Sequence, residues 1–420
     1  VYRVEVAKIA VQFLPRLAAA VCLIGPFAFA IIMKTQSSVP ADTLFGRWIH
    51  TSGFAIPFVV LGFSGVAGFP VLASIVGGDI FAAEDRHATW KTTLTRSCSR
   101  DAVFAGKTLA AVTFTIAMVG LLAVSSTVAG ALVVGTQPLI GLSGTVLSPG
   151  HAVVVVVESF GVALIPTLAF TCMAILFSVA SRNSMVGVLG PPVVGLAMVL
   201  VSMLGSGLVV RSILLTAPFE GWHELLVAPR RVAPILVGLA VSAVYAYLCL
   251  SVARTMVRRR DFAGDSATSP GWRGLARGLV VGVGILGVLA AGAAFDRTWI
   301  TSHRVEDSVA ATFKNLVVDQ QTMLGHPGTA RSFTVSPFCT RGGSPAGPSS
   351  GAGDDWVCEL NVNGPRLGQL GVSYTITVRP NGCYTAEGPP SVIGPLRLKG
   401  AGGRVAVNPL YAFDSCMIAP

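Results

Sequence analysis

Charge is scarce in this chain. Only 12% of its 420 residues are Asp, Glu, Lys or Arg, about half the share of a soluble domain. By contrast 52% are hydrophobic, and the mean hydropathy is +0.70. An ordinary water-soluble globular protein is excluded. Catalytic signatures are missing as well. The histidines (His50, His87, His151, His223, His303 and His326) are scattered and form no His-Glu-x-x-His pair. There is no Gly-x-Ser-x-Gly elbow and no Cys-x-x-Cys. Gly106-Lys107-Thr108 ends like a phosphate-binding loop, but the first glycine of that motif falls at Asp101, whose charge repels phosphate. No strand pattern precedes it and an apolar run follows, so this chain is not expected to bind ATP. The first apolar run leads into further ones rather than to a cleavage site, so no cleavable signal peptide is expected.

Long apolar runs dominate instead: Leu17–Met33, Gly53–Asp79, Thr108–Val134, Val153–Ala180, Met185–Leu204, Val232–Val252 and Leu279–Phe295. A hydrocarbon core of about 30 Å needs about 20 apolar residues in a helix, so each is expected to span. The net charge of +10 does not point to nucleic acid, because the basic residues sit in short loops beside the runs, where they set topology. With the N-terminus in the cytoplasm, the inside segments hold Arg3, Lys8, Arg16, Arg86, Lys91, Arg96, Arg100, Lys107, Arg182, Arg254, Arg258, Arg259, Arg260, Arg273 and Arg277. The short outside loops hold only Lys34, Arg47, Arg211, Arg230 and Arg231. The expected location is a cell membrane, crossed many times, with the N-terminus inside and the C-terminal tail outside.

Residues 1–16 have helical spacing with a polar face of Arg3, Glu5, Lys8 and Gln12, which reads as an interfacial helix or as a frayed leader. Residues 17–256 form a six-span block, 257–277 a basic linker rich in Gly, Ser and Pro, 278–295 a seventh span, and 296–420 a tail domain. Within the tail, His303–Leu324 has helical periodicity. Gly342–Gly353 reads as a loop, and Trp356–Val362, Val372–Val378 and Arg404–Val407 alternate as strands. Cys339, Cys358, Cys383 and Cys416 all fall in this tail. Outside the cytoplasm they read as a disulfide framework, with metal binding as the competing reading. Four cysteines allow three connectivities. Pairing of chain neighbours, Cys339 with Cys358 and Cys383 with Cys416, is the preferred one. The fold class is therefore an α-helical polytopic membrane protein with a small, β-rich α+β domain outside the membrane.

The most informative polar stretch follows the second run: Glu84, Asp85, Arg86, His87, Ala88, Thr89, then Leu94-Thr95-Arg96-Ser97-Cys98-Ser99-Arg100 and Gly106-Lys107. It resembles the segment of ABC-2 type export permeases in which the second span ends in Glu, followed by Gly-Thr, a Leu-Leu-Thr-x-Pro-x-Ser-Arg stretch, and Gly-Lys opening the third span. Glu84, Thr89, Leu94, Thr95, Ser99, Arg100, Gly106 and Lys107 match. Ala88 replaces the usual Gly, and Ser97 a frequent Pro. The resemblance covers the first six spans. It implies that the loop docks on a separate ATPase subunit, with Glu84, Asp85, Thr89, Arg96, Arg100 and Lys107 as coupling residues. It also implies that a second permease subunit completes the pathway, and that ATP and magnesium sit on the partner, leaving no cofactor in this chain.

Glu158, the one carboxylate close to the core of a span, is a candidate for the transport pathway or a residue of the outer interface. Trp222, in the outside stretch Ser206–Arg231, reads as a headgroup anchor. Pro191-Pro192 should break or kink the fifth span. Beside the permease reading stands a membrane-anchored receptor or assembly platform whose tail binds a ligand or envelope component. A lipid-modifying enzyme has only Glu158 and the scattered histidines in its favour.

Overall fold

Among the described residues of the computed structural model, six helices are long and apolar enough to cross a membrane. The structure describes residues 1–36, 43–90, 99–205, 207–260, 298–343, 349–364, 368–403 and 405–418, with 284, 285, 287–289, 291, 292 and 295 between them. The seventh run and residues 261–277 of the expected linker therefore fall largely outside the described residues, as does Arg96.

Helix α1 (Tyr2–Val11) is separated by an extended Gln12 from α2 (Phe13–Thr35), the first candidate span. The second span comprises α3 (Ala55–Phe63) and α4 (Phe69–Gly77), joined by a π-helical turn over Ser64–Gly68. A short α5 (Ala82–Arg86) precedes α6 (Arg100–Val133), α7 (Pro149–Ser181) and α8 (Ser184–Met203). Then come α9 (Leu208–Ile213), a 3-10 helix at Ala217–Leu225, and α10 (Ala233–Arg259). Local chemistry sets several starts. The Ser99 hydroxyl accepts from the Ala102 amide to open α6, and the Asn183 side chain accepts from the Met185 amide to open α8. Proline stands in the first turn of α7 and of α10, where its missing N–H costs nothing. Helix α8 runs through Pro191 and Pro192 without a break, and α10 remains helical to Arg259, beyond the expected boundary at 256.

Helix α7 is the centre of the bundle. Its most apolar window is 67% buried, against 22% for α2 and 17% for α10. It packs on α4, α6, α8, α10 and the 3-10 helix. Where α8 crosses the end of α4, Gly78 and Gly187 meet backbone to backbone: a Cβ on Gly187 would lie 2.0 Å from the Gly78 carbonyl oxygen. That contact admits no side chain.

The tail is one layer of helix on one of sheet. Strands β3 (Thr334–Arg341), β4 (Gly353–Gly364), β5 (Gly368–Val378), β6 (Cys383–Glu387) and β9 (Ala412–Cys416) form an antiparallel sheet in the order β3-β4-β5-β6-β9. Pairs β1–β2 (Leu139–Ile140 with Val146–Leu147) and β7–β8 (Arg397–Lys399 with Val405–Val407) are separate ribbons. Alternate residues of β4 and β5, including Trp356, Leu360, Tyr374 and Ile376, are fully buried, as a half-covered sheet requires. Helix α11 (Ser302–Met323) packs against the sheet and buries Val305, Val309, Phe313, Leu316 and Val317. Cys339 faces Cys358 across β3–β4 and Cys383 faces Cys416 across β6–β9, and both pairs are disulfides.

This tail sits on the end of the bundle away from the N-terminus. The Phe45 amide donates to the Asp414 carboxylate at 2.9 Å, Arg47 pairs with Glu387 at 2.7 Å, and Asn315 donates to the Ser143 carbonyl at 2.7 Å.

Candidate functional site

At the opposite end, four helices that are distant in sequence are tied together by charge. Glu84 lies in the middle of α5, Lys107 lies two turns into α6, and Glu5 and Lys8 share a face of α1 as an i, i+3 pair. Lys107 is 1% exposed, and Glu5 and Glu84 are each 5% exposed. The Lys107 ammonium lies 2.9 Å from Glu84 and 3.1 Å from Glu5, and donates to the Ile80 carbonyl at 3.1 Å. Lys8 reaches Glu84 at 3.1 Å and Glu5 at 3.2 Å. Thr89 donates its hydroxyl to the other oxygen of Glu84. Two carboxylates and two ammonium groups thus neutralise one another, with Lys107, Glu5 and Glu84 buried and Lys8 half-exposed. Gly106 makes room for it: a Cβ there would meet the Val1 side chain at 2.6 Å, so α1 lies directly on α6.

A second group adjoins the first. Asp85 takes a two-handed contact from Arg260, accepts from the Trp90 indole at 3.0 Å, and Arg260 lies over the Trp90 ring. Arg100 donates to the carbonyls of Arg258 and Arg260 at 2.7 and 2.8 Å. Asp101 binds Arg254 and Arg258 on α10 at 2.9 and 2.7 Å. Helix α5 with Trp90, the start of α6 and the end of α10 are consequently tied together.

Burial alone would raise the Glu84 carboxyl, but Lys107 and the hydrogen bonds from Thr89, Lys107 and Lys8 outweigh it, and the group sits at about 2. A carboxylate held that low is neither a general acid nor a proton carrier near neutrality. Separating α5 from α1 or α6 would leave a buried charge without its partner.

Of the residues expected to couple to a partner, Glu84, Asp85, Thr89, Arg100 and Lys107 all lie in this network, while Arg96 lies outside the described residues. Lys107 does not fit an expected pairing with a partner's carboxylate, because its charge is enclosed and already shared. Glu158 is at the other end, half-exposed in α7 and 3.1 Å from Arg230, which also contacts His151. Trp222 is no headgroup anchor. It is 2% exposed and stacks on Phe58.

No protein-family model matches this chain, and no curated protein matches it.

Glu5, Lys8, Asp101, Arg254, Arg258 and Arg260 were not singled out by the sequence as partners of the motif. The Glu5–Lys8 spacing and the basic run ending α10 were the available signals, but neither indicates which distant carboxylate or carbonyl each cation meets. His223, Cys383 and Cys416 are the one group of three possible metal ligands among the described residues. The two sulfurs are joined in the disulfide, whereas the thiolate is the form that binds metal.

Proposed function

We propose that this chain is the membrane subunit of an ATP-driven exporter of the ABC-2 type, driven by a separate ATPase subunit and paired with a second membrane subunit. One observation carries the reading. The residues Glu84, Thr89, Arg100 and Lys107, on which the resemblance rests, gather at a single end of a six-helix bundle and link the second-span loop to α1, α6 and α10. A motor pushing on that loop would move three further helices with it. In this reading that end is cytoplasmic, in keeping with the excess of basic residues beside it, and the tail is outside. Exposed groups such as Arg86 and His87 would meet the motor, while the buried charges carry the push inward.

The tail favours a second reading, a membrane-anchored receptor or assembly platform that transports nothing. Purification of the tagged full-length chain from native membranes under mild conditions separates the two. The exporter reading requires an ATP-binding-cassette subunit in stoichiometric amount, with ATP hydrolysis that depends on this chain. A chain purified with no ATPase subunit, together with normal export in cells lacking the chain, removes that reading.

A further inference from the structure

The seam between bundle and tail brings together three side chains of the kinds that ligate zinc. The tail supplies Cys383 and Cys416, which open β6 and close β9 in register, and the bundle supplies His223 from the 3-10 helix. His223 Nδ1 lies 3.6 Å from Cys383 Sγ, and one nitrogen or sulfur from each residue lies within 4.8 Å of the other two. His223, Cys383 and Cys416 are all buried, at 9%, 2% and 6% exposure. With Zn–S of about 2.3 Å and Zn–N of about 2.0–2.1 Å, a tetrahedral angle sets nitrogen and sulfur about 3.5–3.6 Å apart. The imidazole thus already stands at ligand spacing from one sulfur. What withholds the site is the bond between the two sulfurs, because metal binds the thiolate.

A route to these sulfurs is present. A cavity of about 430 Å³ lies where α7, α9, α10 and the 3-10 helix meet the tail, a size suited to a small dithiol. His223, Cys383 and Cys416 line it, whereas Cys339 and Cys358 do not. Among the described residues, Arg211 is the one Lys or Arg of the lining, and Glu220 pairs with it at 2.6 Å. Glu224 adds a further carboxylate. A cation entering the cavity meets no uncompensated positive charge in that lining.

We propose that reduction of the Cys383–Cys416 disulfide by a dithiol turns this seam into a site for one zinc ion, held by both thiolates and by His223 Nδ1, with its fourth position open to the cavity. The dithiol gives up two electrons and two protons. Its own sulfurs close as a disulfide while Cys383 and Cys416 become thiols, and Zn²⁺ then displaces both thiol protons to solvent. Two thiolates offset the charge of the ion, as a buried ion requires. Because two ligands come from the tail and one from the bundle, the metal joins the two across their seam. The site does not depend on the exporter reading and stands or falls separately from it.

The test uses the full-length protein in detergent, reduced with dithiothreitol, freed of reductant without air, and titrated with Zn²⁺ against a chromophoric chelator. Co²⁺ serves as a second probe, whose thiolate charge-transfer and tetrahedral d–d absorption report the ligands. Reduced wild type should take up one equivalent, and unreduced protein none. His223→Gln keeps both cysteines and should weaken zinc binding about tenfold or more, since losing even a contact that supports a metal ligand costs about 10–100-fold. The double variant Cys383→Ser/Cys416→Ser should take up none, which separates this site from thiols released at Cys339 and Cys358. No zinc on reduced wild type, equal uptake by unreduced protein, or uptake by the double variant equal to wild type overturns the site. Undiminished affinity in His223→Gln overturns it as well.

Discussion

The Lys107 ammonium sits 2.9 Å from the Glu84 carboxylate, and both side chains are almost wholly shielded from solvent. The two residues are 23 positions apart, on either side of a polar loop. Their pairing with Glu5 and Lys8 fixes α1 against the bundle. Removing one member of a buried pair leaves the other uncompensated, which costs about 3–5 kcal/mol. Lys107→Ala is therefore expected to lower thermal stability far more than Lys34→Ala, whose cation is exposed. Melting of the purified full-length protein, followed by size-exclusion chromatography, compares them. Equal melting of the two variants would remove the network's structural role.

Arg100 ties the start of α6 to the carbonyls ending α10. Its guanidinium is at the surface, so Arg100→Glu should leave the bundle folded while releasing that tie. Under the exporter reading, ATP hydrolysis by the partner should continue while export falls about tenfold or more, the range typical of a lost charged hydrogen bond in the coupling path. Unchanged export in Arg100→Glu would show that the tie is not used.

Acid should act on the seam between bundle and tail in two opposing ways. Burial, aided by Arg379, pulls the His223 imidazole down to about 3. The unfolded side chain takes up a proton below about 6.5, so the His223 contribution is complete above that pH and is lost as pH falls through it. Burial pushes Asp414 up to about 6 despite Arg47, the Phe45 amide and Arg379, and burial also pushes Asp319 up to about 6. These carboxyls hold protons in the fold that they lose when unfolded, so their contribution rises as pH falls from 6 toward 4. The wild-type profile should be shallow. Asp414→Asn should turn it into a loss of stability between pH 7 and 5, and His223→Gln should turn it into a clear gain, each by about 1–2 kcal/mol at pH 5. Parallel pH profiles for wild type and both variants would count against this account.

Threading can be read directly. His87 and Ser349 are exposed at opposite ends of the molecule. Single cysteines placed there should react differently with an impermeant thiol reagent in intact cells: Ser349→Cys labelled, His87→Cys labelled only after lysis. The reverse pattern would invert the topology. The same preparation, analysed unreduced, should show no free thiol at Cys339, Cys358, Cys383 or Cys416. Replacing either pair by serine should cost the tail about 2–4 kcal/mol.

The first six apolar runs, the tail helix and the longest strands were legible because their signals are local. A span needs only length and hydropathy, and β4 and β5 need only alternation. Strands β3, β6 and β9 were not expected. Pro337 interrupts the first, and the other two are five residues each, with nearly every position buried, so no alternation marks them. The matching cysteines were visible as residues of one segment, whereas their pairing follows from register across β3–β4 and β6–β9.

The sequence by itself determined that the chain carries a set of membrane-length helices and a cysteine-bearing tail, because bilayer thickness and side-chain polarity act on each segment independently. It also marked Glu84 to Lys107 as unusual. Only the tertiary structure decided what those charges do. Lys107 reads as one more basic residue beside a span, yet two turns of helix, about 10 Å, carry it inside, to carboxylates that come from α1 and α5. Likewise Trp222 reads as an anchor for lipid until Phe58 and Phe45 close around it. Whether a charge or a ring faces solvent, lipid or another helix depends on which distant segments cover it, and that is a property of packing.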